Sequence, residues 1–275
     1  MKNNPRVRRT YLILLFSMAV CLGCQWHLRP ANDAVDERRV SIVRYDRIEH
    51  LYLTTADFAA LQQMKTAYPM QTRMLIEDVL KLGRVDESDI NTRFLMFFQD
   101  STLQALMRDV ERQYASTDDL DDLLTESFGR LRDMLPSIEL PSVYTQIGSL
   151  DQSVVVGNNS IGICLDKYLG TNFSLYKRPD YGYSDEQRRM MDRKYIVPDC
   201  IGFYLLSLYP MPLDSGMTQK ERDIYIGKIQ WVVDEAMGEE VFASRFTRMA
   251  GRYMKRNKNA TVDQLLRNND FKDFY

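Results

Sequence analysis

The chain has 275 residues, with 36 Lys and Arg against 38 Asp and Glu, a formal charge of −2 and 45% apolar content. That balance lacks the basic excess of a nucleic-acid-binding protein, so nucleic acid is excluded as an expected partner. The apolar share is enough for a packed core.

The charges are unevenly placed, because Lys2, Arg6, Arg8 and Arg9 precede the first acid. Residues 11–22 then form an apolar run too short for a bilayer, which takes about 20 residues. A basic start, a short apolar run and a small residue at a cut site is the order of a secretory signal. Gly23-Cys24 supplies the small residue before cysteine that a lipoprotein signal needs. Residues 1–23 are therefore read as a cleaved lipoprotein signal. Cys24 is the lipidation residue, with a diacylglyceryl group on its thiol and a third chain on its new amine. Cys21 stands where leucine is usual, and Val20 is too bulky at the cut for Cys21 to serve instead. An uncleaved signal anchor and a soluble secreted protein are the other readings. Each buried CH₂ of an acyl chain contributes about 0.8 kcal/mol, so two or more chains anchor stably and the membrane is the first expected partner. No acidic cluster follows Cys24, which points to the periplasmic side of the outer membrane. Removing four bases from 36 against 38 acids leaves the mature chain at −6.

Residues 24–40 read as a polar tether, with Pro30 and the run Asp36-Glu37-Arg38-Arg39. A first strand is expected over 40–45, and Thr54-x-x-Asp57 is expected to open a helix whose apolar face is Phe58, Leu61 and Met64, closed by Tyr68-Pro69. Further helices are expected with Met74, Leu75 and Val79, then over 89–98, from Ser101 to about Tyr114, and from Thr117 through Leu120, Leu124, Phe128 and Leu131 to Pro136. After Pro141 the pattern changes. Residues 142–148 read as a strand. The β-branched run 152–156, the turn Gly157-Asn158-Asn159-Ser160 and the return 161–165 read as a hairpin. Residues 166–183 are an aromatic loop. Helices resume at Pro198, at the capping box Thr218-x-x-Glu221 running to Gly238, over 239–257 and at Thr261-x-x-Gln264. The expected class is α+β in one domain over 41–275, mainly α-helical with a small sheet or hairpin around 142–165.

Chemistry is sparse in this pattern. His27 and His50 are the only histidines, and neither HExxH nor a mature Cys-x-x-Cys occurs. A catalytic zinc site uses three protein ligands with histidine prominent, so neither metal nor cofactor is expected. A serine triad would have to use His50, and Ser174-x-x-Lys177 is a short match on a loop. Asp118, Asp119, Asp121 and Asp122 start a helix, where the dipole favours acids. Asp234-Glu235 reads as solvent-facing. Cys164 and Cys200 are compatible with two separate buried thiols or with one bridge, since an oxidising compartment permits either. The sequons at Asn158, Asn172 and Asn259 carry no argument in a bacterial chain. Asp166-Lys167-Tyr168 follows a buried strand and precedes Phe173, Tyr176, Tyr181 and Tyr183. Either Asp166 caps a turn while the tyrosines cover the core, or Asp166, Lys167, Tyr168, Tyr176 and Tyr181 form a binding site on a long loop.

In this segment the chain resembles the gliding-motility lipoprotein GldB family of Bacteroidota. The motifs are Pro141-Ser142-Val143-Tyr144-Thr145, Ile161 through Gly170, and Tyr176. Tyr45-Asp46-Arg47, Tyr68-Pro69 and Lys81-Leu82-Gly83 are similar to the family's opening. Ile226-Gly227-Lys228-Ile229 resembles its Glu-Gly-Lys helix, with Ile226 in place of the acid. Arg252-Tyr253-Met254 and Leu265-Leu266 resemble its ending. The resemblance implies an outer-membrane-associated lipoprotein, required for gliding where the bearer glides. It also implies an architecture similar to a zincin-like peptidase scaffold. The metal-bearing helix would be 198–208, which has no histidine, so the scaffold would be degenerate. The expected function is a cell-envelope binding or assembly component whose partner is an envelope protein or glycan. The alternative is a carboxylate-dependent hydrolase of peptides or glycans, using acids such as Asp166 and Asp199.

Overall fold

The computed structural model describes residues 39–212 and 216–275. The signal sequence, Cys24 and most of the tether lie outside the described residues.

The first strand, β1, is only Ile42–Val43. Helix α1, Tyr45–Thr55, starts at once and buries Tyr45, Asp46, Glu49, Tyr52 and Leu53 on one face. Two of those five are acids, which hides the helical period from an apolar-pattern reading. The expected cap at Thr54 is corrected. Thr54 sits inside α1 and its hydroxyl donates to the His50 carbonyl, while Asp57 caps α2, Phe58–Thr66, by accepting from Ala59 and Ala60 N–H. Leu61 and Met64 are buried as expected, but Phe58 is exposed. Pro69 opens α3, Pro69–Arg73, which continues into a π-helical turn over Met74–Val79. Helices α4, Ile90–Phe97, and α5, Ser101–Gln113, follow. Asp100, not Ser101, caps α5. Helix α6 is Asp118–Met134, and Thr117 makes no side-chain cap bond there.

Strands β2, Ser142–Gln146, β3, Val154–Gly157, and β4, Ser160–Cys164, complete a sheet in the order β1-β2-β4-β3. β1, β2 and β4 run parallel, and β3 pairs antiparallel with β4 in the expected hairpin. Asn159 takes a positive φ in its turn, a conformation that asparagine tolerates. The outer edge at β1 is closed by α6, because Ile42 N–H donates to Asp121 and Val40 N–H to Thr125. Side chains thus answer backbone groups that an edge would leave open. Gly162 of β4 lies under the Tyr144 ring of β2, where a Cβ would come within 2.6 Å.

A short helix missing from the sequence reading, α7, Asp185–Met190, begins at a capping box on Ser184. Helix α8, Ile196–Leu208, packs on β3 and β4. Helix α9, Gln219–Met237, starts at the expected Thr218–Glu221 box and ends at Gly238 in the left-handed region. It packs against α6, α8 and α10, Arg245–Arg256. The helix expected over 239–257 therefore starts only at Arg245, capped by Ser244, and residues 239–244 are a connection. The expected box at Thr261–Gln264 opens α11, Val262–Arg267. The class is α+β, mainly helical with a small sheet.

Candidate functional site

Parallel strands place their carboxyl ends side by side, where open α/β sheets gather ligand-binding groups. Here the ends of β1, β2 and β4 bring together Asp46 and Glu49 of α1, the 147–150 turn and Asp166. Ser149 and Leu150 have positive φ, and the turn they form aims successive N–H groups inward. Such a concavity ordinarily binds an anion. The anion in it is the Asp166 carboxylate, which accepts from Gly148 N–H at 2.7 Å and from Leu150 N–H at 2.5 Å. Asp166 is fully buried. Burial raises its pKa, and the two N–H bonds work against that rise.

Of the neighbouring candidates, Lys167 is tied to the same turn. Lys167 Nζ donates to the Leu150 carbonyl at 3.2 Å and to the Tyr183 hydroxyl at 3.0 Å, 4.3 Å from that ring's centre. Burial lowers its pKa. The Tyr176 hydroxyl donates to the Asp166 carbonyl and accepts from Leu169 N–H at 2.9 Å. The Tyr168 hydroxyl donates to Asp199 at 2.6 Å, and its carbonyl accepts the Tyr114 hydroxyl at 2.6 Å. Tyr181 alone is half-buried at the outside, stacked on Tyr183, with the Arg178 guanidinium 5.8 Å from its ring centre. Asp166, Lys167 and Tyr176 share one network with Tyr181 stacked at its edge, while the Tyr168 hydroxyl turns to Asp199. Four of the five residues are buried and bonded internally, and the fifth lies on the rim.

The two acids of the hydrolase alternative are not brought together. Asp166 answers the 147–150 turn. Asp199, in the first turn of α8, has its pKa pushed up to about 6 by burial, opposed by the Tyr168 hydroxyl. His50 Nε2 lies 3.6 Å from Glu111. Lys177 donates to Asn172 in a 3-10 turn and not to Ser174. Cys164 and Cys200 are buried, unbridged thiols. Asp234 is corrected from its solvent-facing reading, because its carboxylate accepts Val241 and Phe242 N–H and holds the 239–244 connection.

Sequence reasoning missed the second tier of this cluster. Asp46 is bound by Arg44 at 2.7 Å and by the Thr145 hydroxyl. Glu49 accepts Ile147 N–H at 2.9 Å. Burial raises the Glu49 pKa well above the usual carboxylate range. The signal was present in Tyr45-Asp46-Arg47, where an acid adjoins a buried tyrosine at the start of α1.

The model of the gliding motility protein GldB family matches residues 29–245. The chain belongs to the GldB family. The matched span holds β1 through α9, including the whole Asp166 constellation. No curated protein and no solved structure matches the chain. Membership of GldB makes it a gliding-motility-associated envelope protein. Among the described residues, no helix is long and apolar enough to cross a membrane.

Proposed function

We propose that this GldB-family chain is a lipoprotein anchored through Cys24 in the outer membrane, facing the periplasm, and that its body is a docking component without chemistry of its own. The observation that carries the docking reading is the filled anion concavity. A carboxylate that accepts two backbone N–H groups, beneath tyrosines that bind backbone in turn, is built to hold a surface still. The surface it holds is the outer side of residues 172–189, where Lys177, Arg178 and Asp180 are exposed and Tyr181 is half-exposed. Asp166, Lys167, Tyr168 and Tyr176 thus act on a partner through the shape they impose, and Tyr181 touches it. The partner is an envelope protein or a glycan.

Crosslinking and capture from native membranes tests this reading. Wild type should retain specific neighbours. Tyr181→Ala with Arg178→Ala should lose them while the protein stays folded, and Cys24→Ala should lose both membrane and neighbours. Capture unchanged by the rim variants would overturn the assigned surface. The hydrolase is the second reading, and it would rest on Asp199 in the first turn of α8, where the Tyr168 hydroxyl holds the carboxyl at 2.6 Å and burial raises its pKa toward the range of a general acid. Turnover of peptide or glycan substrates that disappears in Asp199→Asn would establish it in place of the first.

A further inference from the structure

Residues of α9, of the connection after it and of α10 line a groove of about 810 Å³. A volume of that size suits a small ligand. One wall carries Asp234, Glu235, Glu239 and Glu240, from the end of α9 and the connection after it. The other carries Arg248, Arg252 and Lys255 of α10, spaced four and three residues apart and so on one helix face. Opposite charges placed this close normally pair. Yet among the described residues none of these three bases forms an ion pair with any of the four acids, although eleven arginine–carboxylate pairs occur elsewhere among them.

Between the walls lies Trp231, whose indole N–H donates to no protein group among the described residues. Gly251 lets α10 pass close to the edge of the indole, because a Cβ there would come within 3.1 Å of the indole nitrogen. An indole lining a groove together with acidic and basic rows complements a ligand with both charges and an apolar stretch between them. A purely anionic surface would meet the exposed acids Glu235, Glu239 and Glu240, and a purely cationic one would meet three bases.

We propose that this groove binds a short zwitterionic peptide, its carboxylates toward Arg248 and Arg252, its ammonium groups toward Glu235 and Glu239, and its backbone across Trp231. The site is separate from the 172–189 surface and independent of it. The basic wall lies beyond the residues that the family model matches, and the acidic wall within them.

The chain has two tryptophans, Trp26 and Trp231, so Trp26→Phe in the full mature protein leaves Trp231 as the only emitter. The probe is the tetrapeptide Ala-Glu-Lys-Ala with free ends. Its emission change should saturate below about 1 mM. A form with both carboxylates converted to amides and a form with both amines acetylated should each bind at least about tenfold more weakly, because each removes one set of charge-assisted bonds. Arg252→Glu and Glu239→Lys should weaken the free peptide about tenfold. Both side chains are exposed, so circular dichroism should show the fold unchanged. No saturable change, equal binding of the blocked peptides, or full affinity in both variants would overturn the proposal.

Discussion

At the residue scale, the molecule turns on a few buried polar groups whose partners are backbone. Removing the Asp166 side chain leaves the Gly148 and Leu150 N–H groups without acceptors in a dry site. Each such orphan costs about 1–3 kcal/mol. Asp166→Ala should therefore lose about 3 kcal/mol in urea unfolding, and Asp166→Asn, which keeps one acceptor, should lose less. Lys228 is a second case. It is fully buried in α9, and its Nζ donates to the carbonyls of Leu266 at 3.2 Å and Asn268 at 2.7 Å, clamping the C-terminal end of α11. Burial pushes its pKa down to about 8, against about 10.4 in an unfolded chain. Between those values the folded state holds fewer protons at Lys228 than the unfolded one, so the contribution of Lys228 to stability rises with pH from about 8 to about 10. The buried thiols of Cys164 and Cys200, raised by burial, have the opposite sign in the same window, so urea midpoints should fall more steeply with pH in Lys228→Met than in wild type. Asp199 too has the sign opposite to that of Lys228. Its folded pKa near 6 lies above the ordinary value of about 3.9. Its protonated form is therefore favoured by folding, and stability should fall as pH rises from about 4 to about 6. Asp234 is pushed up to about 6 by burial too, so Asp199→Asn should remove part of that fall and not all of it.

At the element scale, close approach of helices depends on particular glycines. A Cβ on Gly227 of α9 would sit 2.6 Å from the Phe246 backbone at the start of α10. Backbone cannot rotate away as a flexible side chain can. Gly227→Ala should lose about 2 kcal/mol in thermal or urea unfolding, although alanine is the better helix former by about 1 kcal/mol. The same contact shows why this Gly-Lys pair was legible as a motif but not as a mechanism: Phe246 lies far along the chain from it. Elements with local signals were read well. The boxes at Thr218–Glu221 and Thr261–Gln264 lie three residues apart, and the 157–160 turn shows itself in its own residues. Helix α1 was missed because its buried face includes Asp46 and Glu49, which look like surface residues until the carboxyl ends of the strands are placed above them. Thr54 and Ser101 were taken for caps one to three residues from the true ones. Ser, Thr and Asp all serve as caps, and only the backbone direction decides among neighbours.

At the scale of the whole molecule, the candidate site was legible as a list of residues and not as an arrangement. Asp166 and Lys167 bond the N–H and C=O groups of 148–150, Tyr176 bonds the backbone of Asp166 and Leu169, and Tyr168 bonds Asp199; most of these partners are backbone groups, which leave no trace in sequence. The α9–α10 groove was invisible for a related reason. Its two charged rows come from segments that read separately as solvated helix faces, and only their opposition across Trp231 gives them meaning. The body thus presents two outward features, the rim around Tyr181 and the charged groove, on a chain whose first residues read as an export signal ending at Cys24.

The most direct test of the proposed lipid-anchored role is intact mass spectrometry of the protein purified from native membranes, beside Cys24→Ala. The wild-type chain should begin at Cys24 and carry a diacylglyceryl group and an amide-linked acyl chain, and the variant should keep its signal and lose the lipid. A wild-type chain without lipid, or one that begins elsewhere and still partitions with membranes, would contradict the account.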